Sequence, residues 1–299
     1  MIERADYIDF SISEVSLGTA QLGFPYGIAN IAGQPDQNQA YEIIGTAIEN
    51  GINTFDTAPS YGDSESQLGN YFRNRAPSSF KPTIMTKLPA HAGHIKKNLE
   101  DSLKRLNVNK VHVYFLHDAS DIENDALLEK LFNLKKEGII CKVGVSVYTP
   151  EEAEKAIRKR LDAIQMPVNI FDRRFNQPTF LERCRSSNTI LFARSIFLQG
   201  LFFLEPDKLP PCLTGAREYL KRLKSISKDE HIGINELAIS YVKTIPEITS
   251  IILGAETVEQ LVRNTEAFHH PKLTRRLLHI IQDEFTSIPL EIIDPRKWK

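Results

Sequence analysis

Short apolar runs alternate with amphipathic stretches along almost the whole chain. No other feature restricts its possible folds as much. The pattern predicts strands at residues 14–21, 52–56, 83–88, 111–116, 141–147, 162–167, 189–194 and 250–253. Between them lie helical repeats. Ala40, Ile43, Ile44, Ala47 and Ile48 recur at helical spacing, as do Ile95, Leu99, Ser102, Leu103 and Leu106. Gly138 supplies a stop for the helix that begins near Asn124, and Thr149-Pro150 supplies an N-cap and a first-turn proline. Ser64-x-x-Gln67 has the form of a capping box. A longer segment, 199–228, follows the seventh strand, and a further helix is predicted over 273–284.

Strands that alternate with helices call for a parallel sheet. Eight such units in a chain of 299 residues predict an α/β fold of the closed (β/α)8 TIM-barrel type. The prediction covers residues 1–299 as a single domain, with a long loop after strand seven and an extra C-terminal helix. A doubly wound open sheet is the competing arrangement. It would be expected to carry G-x-G-x-x-G after its first strand, and this chain has no such turn there.

Composition narrows the function classes. The net charge of −1 favours neither nucleic acid nor an anionic membrane surface. No apolar run approaches the roughly 18 residues that span a bilayer. The first ten residues carry acids and lack the apolar core of a secretory signal. Cys141, Cys184 and Cys212 form neither a disulfide framework nor a zinc pattern. A cytoplasmic protein is expected, monomeric or weakly self-associating, with a small-molecule substrate.

Barrel chemistry gathers at the C-terminal ends of strands. The predicted strands end in polar residues one after another. Asp56, followed by Tyr61, ends the second, Lys87 the third, His117 the fourth, Ser146 the fifth and Gln165 the sixth. Arg194-Ser195 ends the seventh, and Gly254-Ala255-Glu256-Thr257 the eighth. Singly, each has an ordinary structural explanation, such as capping a helix. Jointly they converge on one rim. A buried Asp56 needs a partner, and Lys87 on the neighbouring strand can supply it. The Lys87 charge is then expected to lower the pKa of the nearby Tyr61 phenol from its reference of about 10. Such a phenol can serve as an acid–base group. His117 can orient a carbonyl oxygen.

At these residues the sequence resembles the aldo-keto reductases, while Leu17-Gly18-Thr19-Ala20-Gln21-Leu22-Gly23 with Tyr26-Gly27-Ile28-Ala29-Asn30, and the stretch Arg194 to Leu201, resemble a bacterial branch of these NAD(P)H-dependent oxidoreductases. The resemblance rests on Phe55-Asp56-Thr57-Ala58-Pro59-Ser60-Tyr61-Gly62, Thr86-Lys87, Ser102-Leu103-Lys104-Arg105-Leu106 before Tyr114-Phe115-Leu116-His117, Gly144-Val145-Ser146, and the stretch from Ile252 to Asn264. It implies hydride transfer between NAD(P)H and an aldehyde or ketone. Tyr61 would be the general acid, Lys87 and Asp56 its partners, and His117 the orienting group.

The same resemblance assigns the cofactor to Gly18, Thr19, Asp56, Ser146, Gln165, Arg194, Ser195, Gly254, Ala255, Glu256, Thr257, Gln260 and Asn264. Ser146 and Gln165 would hold the carboxamide, Arg194 would stack on the nicotinamide, and Asn264 would contact adenine. NADPH is the family default. Glu256 suits a free 2′-hydroxyl better than a phosphate, which keeps NADH in play. No metal is implied. Phe24, Tyr26, Phe202 and Phe203 are read as a roof over an apolar or sugar-like substrate. Two other functions share parts of this pattern. A lyase would use Lys87 as a Schiff base, and a regulatory subunit would bind nucleotide without turnover.

Overall fold

The computed structural model describes residues 2–7 and 10–298. Eight parallel strands close into a barrel. They are β1 (Val15–Gly18), β2 (Thr54–Asp56), β3 (Thr83–Leu88), β4 (Val111–Leu116), β5 (Ile140–Ser146), β6 (Ala163–Pro167), β7 (Ile190–Arg194) and β8 (Ile248–Gly254). Each pairs with its sequence neighbours, and β8 closes on β1 with Gly254 opposite Gly18. The open-sheet alternative is thereby excluded.

Side chains alternate between the two faces of a strand. Met85, Val113, Phe115, Ala163, Ile190, Phe192 and Ile252 form the cluster that fills the barrel. Phe55, Tyr114, Leu116, Val143, Val145 and Leu191 belong to the larger core under the helices. This parity positions the site. Two residues beyond the filling residue of its own strand stands Lys87 after Met85, His117 after Phe115, Gln165 after Ala163, Arg194 after Phe192 and Gly254 after Ile252. Each strand's inward row therefore ends in a polar residue or glycine at the same mouth.

Arg105 explains why its motif precedes β4. Its guanidinium donates to the buried Glu65 carboxylate at 2.7 Å, and Thr86 donates to the other oxygen at 2.6 Å. Two helices, Ser64–Asn74 and Ile95–Leu106, are thus tied to β3 beside Lys87.

Three features depart from expectation. An antiparallel hairpin, Arg4–Asp6 with Ser11–Ser13, precedes the barrel, and its Ile12 joins the barrel filling from the N-terminal end. The Ser64–Gln67 capping box does not form, because Ser64 is already helical. Its hydroxyl donates to Thr19 Oγ1 at 2.7 Å, while Gln67 donates to Asp63 at 3.0 Å. Phe202 is no roof residue: it is fully buried, 4.8 Å from Phe171 between ring centres.

Candidate active site

Asp56 is 4% exposed and Lys87 1% exposed. Ions so buried must be paired. The Lys87 ammonium donates to Asp56 Oδ1 at 2.7 Å and to the Thr57 carbonyl at 3.0 Å. Gln165 Nε2 donates to the same Oδ1 at 2.8 Å. One carboxylate oxygen thus fixes side chains from β3 and β6. Gln165, assigned by resemblance to the cofactor, spends its amide nitrogen here and keeps its carbonyl oxygen.

Tyr61 stands on the loop after β2. That loop is locked by glycine contacts. A Cβ on Gly23 would lie 1.7 Å from the Tyr61 carbonyl oxygen. One on Gly62, which has a φ of +56°, would lie 2.1 Å from the Gly23 carbonyl oxygen. Only glycine permits this approach and the left-handed turn beside it. The lock leaves the Tyr61 ring 4.8 Å from Lys87 Nζ, near-perpendicular to His117 at 6.1 Å, and 6.3 Å from Phe24.

The electrostatics correct one expectation. The Tyr61 phenol is not drawn down by Lys87. Burial pushes it well above the ordinary tyrosine value, the Asp56 charge adds to that rise, and Arg194 opposes it. The reason is geometric. The Lys87 cation faces the ring, and Asp56 already neutralises it. Lys87 is itself lowered, by burial first, with Asp56 opposing. His117 is lowered to about 4 by burial and by the Lys87 and Arg194 charges. At neutral pH the site therefore holds a protonated phenol and an uncharged imidazole. Tyr26, close enough to feel Tyr61 and Arg194, is pushed up to about 12 by burial.

A cleft of about 370 Å³ leads away from Asp56 and Tyr61. Of the expected residues, Gly18, Thr19, Arg194, Ser195, Gly254, Glu256, Gln260 and Asn264 line it. Lys87 and His117 stand behind and beside it. Ser146 is buried on β5, in register with Gln165. Ala255 packs into the core, and Thr257 uses its hydroxyl to cap the helix Val258–His269. These two side chains lie off the lining. The two loops that flank the cleft are joined by a hydrogen bond from Ile28 N to the Gln199 carbonyl, 2.9 Å long.

Arg194 extends from β7 with its guanidinium 4.2 Å from the Tyr148 ring centre, and donates to the Val147 carbonyl at 3.0 Å. Arg296 lies on the same ring at 3.7 Å, while its own charge is paired with Asp294 at 2.6 Å. Sequence reasoning missed Tyr148 and Arg296. Their contact spans half the chain and leaves no local pattern. It also missed Arg263 and Asn235, which line the far end of the cleft, where Asn235 donates to Asn264 at 2.7 Å. Arg263 places a basic residue on this stretch of the cleft, beside the acid that the sequence reading singled out. Glu256 is there as well, raised by burial and bonded by Gln260 at 3.2 Å.

The arrangement can donate a proton from Tyr61 to an oxygen held at the mouth, beside a cleft of nucleotide-binding size. The glycines at 18, 27, 200 and 254 give this cleft backbone walls. That suits an extended dinucleotide.

Comparison with known proteins agrees with the barrel fold. The profile of the Aldo/keto reductase family matches residues 14–283. An uncharacterized oxidoreductase of Bacillus subtilis, YqkF, is 28% identical over 92% of this chain and 93% of its own length. The D-threo-aldose 1-dehydrogenase of a Pseudomonas species is 22% identical, covering 86% of this chain and 93% of its own. Among solved structures, the aldo-keto reductase AKR11C1 from Bacillus halodurans superposes with a TM-score of 0.77 at 22% identity, over 95% of this chain and 96% of that one.

Proposed function

The chain belongs to the aldo/keto reductase family of NAD(P)H-dependent oxidoreductases, and from that premise we propose that Tyr61 is its general acid and base toward a small, polyhydroxylated carbonyl compound. The observation that carries the proposal is the placement of the Tyr61 ring within 4.8 Å of the paired Lys87 ammonium and 6.1 Å of the His117 imidazole, on the wall of a cleft of about 370 Å³.

The residues divide the work as follows. Gly18, Thr19, Arg194, Ser195, Gly254, Gln260 and Asn264 would hold the nucleotide along the cleft, with Ser146 and the free oxygen of Gln165 at its carboxamide. The bound nucleotide supplies the hydride. Neutral His117 offers a ring N–H to the carbonyl oxygen. As negative charge develops on that oxygen, hydrogen bonds aimed at it strengthen. Tyr61 then gives up its proton. An alkoxide is a stronger base than a phenolate, so a phenol with a raised pKa still transfers its proton downhill. Asp56 holds Lys87 against the face of the Tyr61 ring, and the Arg194 charge, which opposes the rise in the Tyr61 pKa, favours the phenolate left behind. In the reverse direction the Tyr61 oxygen takes the alcohol proton.

Glu256 supports NADH over the NADPH that the family resemblance gives by default. A carboxylate at the adenosine end accepts from a free 2′-hydroxyl and repels a 2′-phosphate. The named activity of the Pseudomonas aldose dehydrogenase supports a sugar-like substrate. The test is parallel fluorescence titration with NADH and NADPH, followed by turnover on a panel of aldoses and simple aldehydes, using wild type and Tyr61→Phe. The reading requires Tyr61→Phe to bind nucleotide normally and lose turnover. Undiminished turnover in that variant would overturn it. Borohydride trapping of substrate on Lys87 without nucleotide would favour a lyase instead.

A further inference from the structure

Three cations near the barrel mouth are paired with carboxylates. Lys87 has Asp56 at 2.7 Å, Arg174 has Asp172 at 2.7 Å, and Arg296 has Asp294 at 2.6 Å. Among the described residues, Arg194 has no carboxylate partner. It is half-buried, held by Tyr148, the Val147 carbonyl and Ser195 Oγ, with N–H groups to spare. A half-buried cation without a counter-charge imposes its field on whatever lies beside it.

That field falls on the reaction centre. Arg194 lines the same cleft as Asp56 and Tyr61. Its charge reaches Tyr61, Lys87 and His117. The nicotinamide ring must lie within hydride reach of a carbonyl carbon whose oxygen meets Tyr61. It therefore sits in the stretch of cleft that Arg194 walls. The stack of Arg296, Tyr148 and Arg194 fixes where the cation stands.

The two redox forms of the nucleotide differ at one place. The oxidised nicotinamide ring is a cation, and the reduced ring is neutral. Their phosphates and adenosine are the same, so any attraction of the protein for those parts cancels in a comparison of the pair. We propose that Arg194 is a redox-discriminating residue: its unpaired guanidinium disfavours the oxidised nicotinamide relative to the reduced one, so the protein holds the reduced nucleotide more tightly. This inference rests on the reductase reading above and adds to it a preference between the two redox forms.

The test is binding, without substrate. NAD+, NADH, NADP+ and NADPH are titrated against wild type, Arg194→Met, Arg194→Gln and Arg194→Lys. Quenching of Trp298, the chain's single tryptophan, is the readout. Wild type should bind the reduced form of each pair that binds at least about tenfold more tightly than the oxidised form, equivalent to about 30 mV for a two-electron couple. Both neutral variants should lose most of that ratio, and Arg194→Lys should keep it. Gln retains donors for the Val147 carbonyl, so it separates charge from packing. A wild-type ratio near one overturns the proposal, whether or not the variants fold. So does a ratio unchanged in Arg194→Gln or Arg194→Met. If none of the four nucleotides binds wild type, the reductase reading itself fails.

Discussion

The ammonium of Lys87 meets the face of the Tyr61 ring, 4.8 Å from its centre, and its hydrogen bonds go to Asp56 and the Thr57 carbonyl. The cation thus supports the phenol through space. Removing the hydroxyl leaves this framework standing. Tyr61→Phe should lower kcat by about 10³-fold or more, with the urea midpoint within experimental error of wild type. Steady-state kinetics and urea unfolding measured on the same preparation check both halves.

Asp56 holds two side chains with one oxygen, so its loss should be felt as instability before it is felt as chemistry. Asp56→Asn leaves the Lys87 ammonium buried without a counter-charge. It should cost about 3 kcal/mol or more. Equilibrium denaturation at pH 7 measures it. Lys87→Met in the same background should recover part of the loss, because the orphaned charge is then gone.

His117 ties stability to pH. Its folded pKa of about 4 lies below the unfolded value of 6.5, so the unfolded chain takes up the proton first. The contribution is nil above about pH 6.5. Stability falls as pH drops from there toward 4, and below that both states are protonated and the loss is complete, at no more than about 3 kcal/mol. Urea midpoints across pH 4 to 7 should show this decline in wild type and a shallower one in His117→Asn. Equal slopes would rule out the assignment.

The contact between Gly23 and Gly62 should tolerate no side chain. Gly62→Ala adds a methyl group 2.1 Å from a carbonyl oxygen in a left-handed turn. A destabilisation of about 1–3 kcal/mol is expected, together with a larger fractional loss in kcat than in nucleotide affinity, since Tyr61 is displaced while the cleft is not. Calorimetry and titration separate the two effects.

At the far end, Glu256→Arg should raise the ratio of NADPH to NADH affinity by about tenfold or more, by exchanging a repelling charge for an attracting one. Parallel titrations provide the measurement. An unchanged ratio would show that Glu256 does not face the adenosine ribose.

Much of this site is legible in the sequence because barrel strands alternate strictly. Once Met85 and Phe115 are recognised as filling residues, parity delivers Lys87 and His117 to the mouth. The hairpin Arg4–Asp6 with Ser11–Ser13 leaves no such trace, since three residues are too few to show a period. Ser64 misleads as a cap because its hydroxyl is claimed by Thr19, a partner 45 residues away. Phe202 and Phe203 read alike, but a tight helical turn sends the first into the core and leaves the second 41% exposed beside the cleft. The direction of the Tyr61 pKa shift is hidden for another reason. It is set first by how deeply the phenol is buried and then by the Asp56 charge, and neither can be read from the spacing of residues.

The hydrogen bond between Ile28 and Gln199 joins two loops that both contribute residues to the wall of the cleft. Neither wall is then an independent part: a substitution in the 26–30 loop is transmitted to the 199–203 segment, so the width of the cleft is a joint property of two stretches about 170 residues apart in the chain.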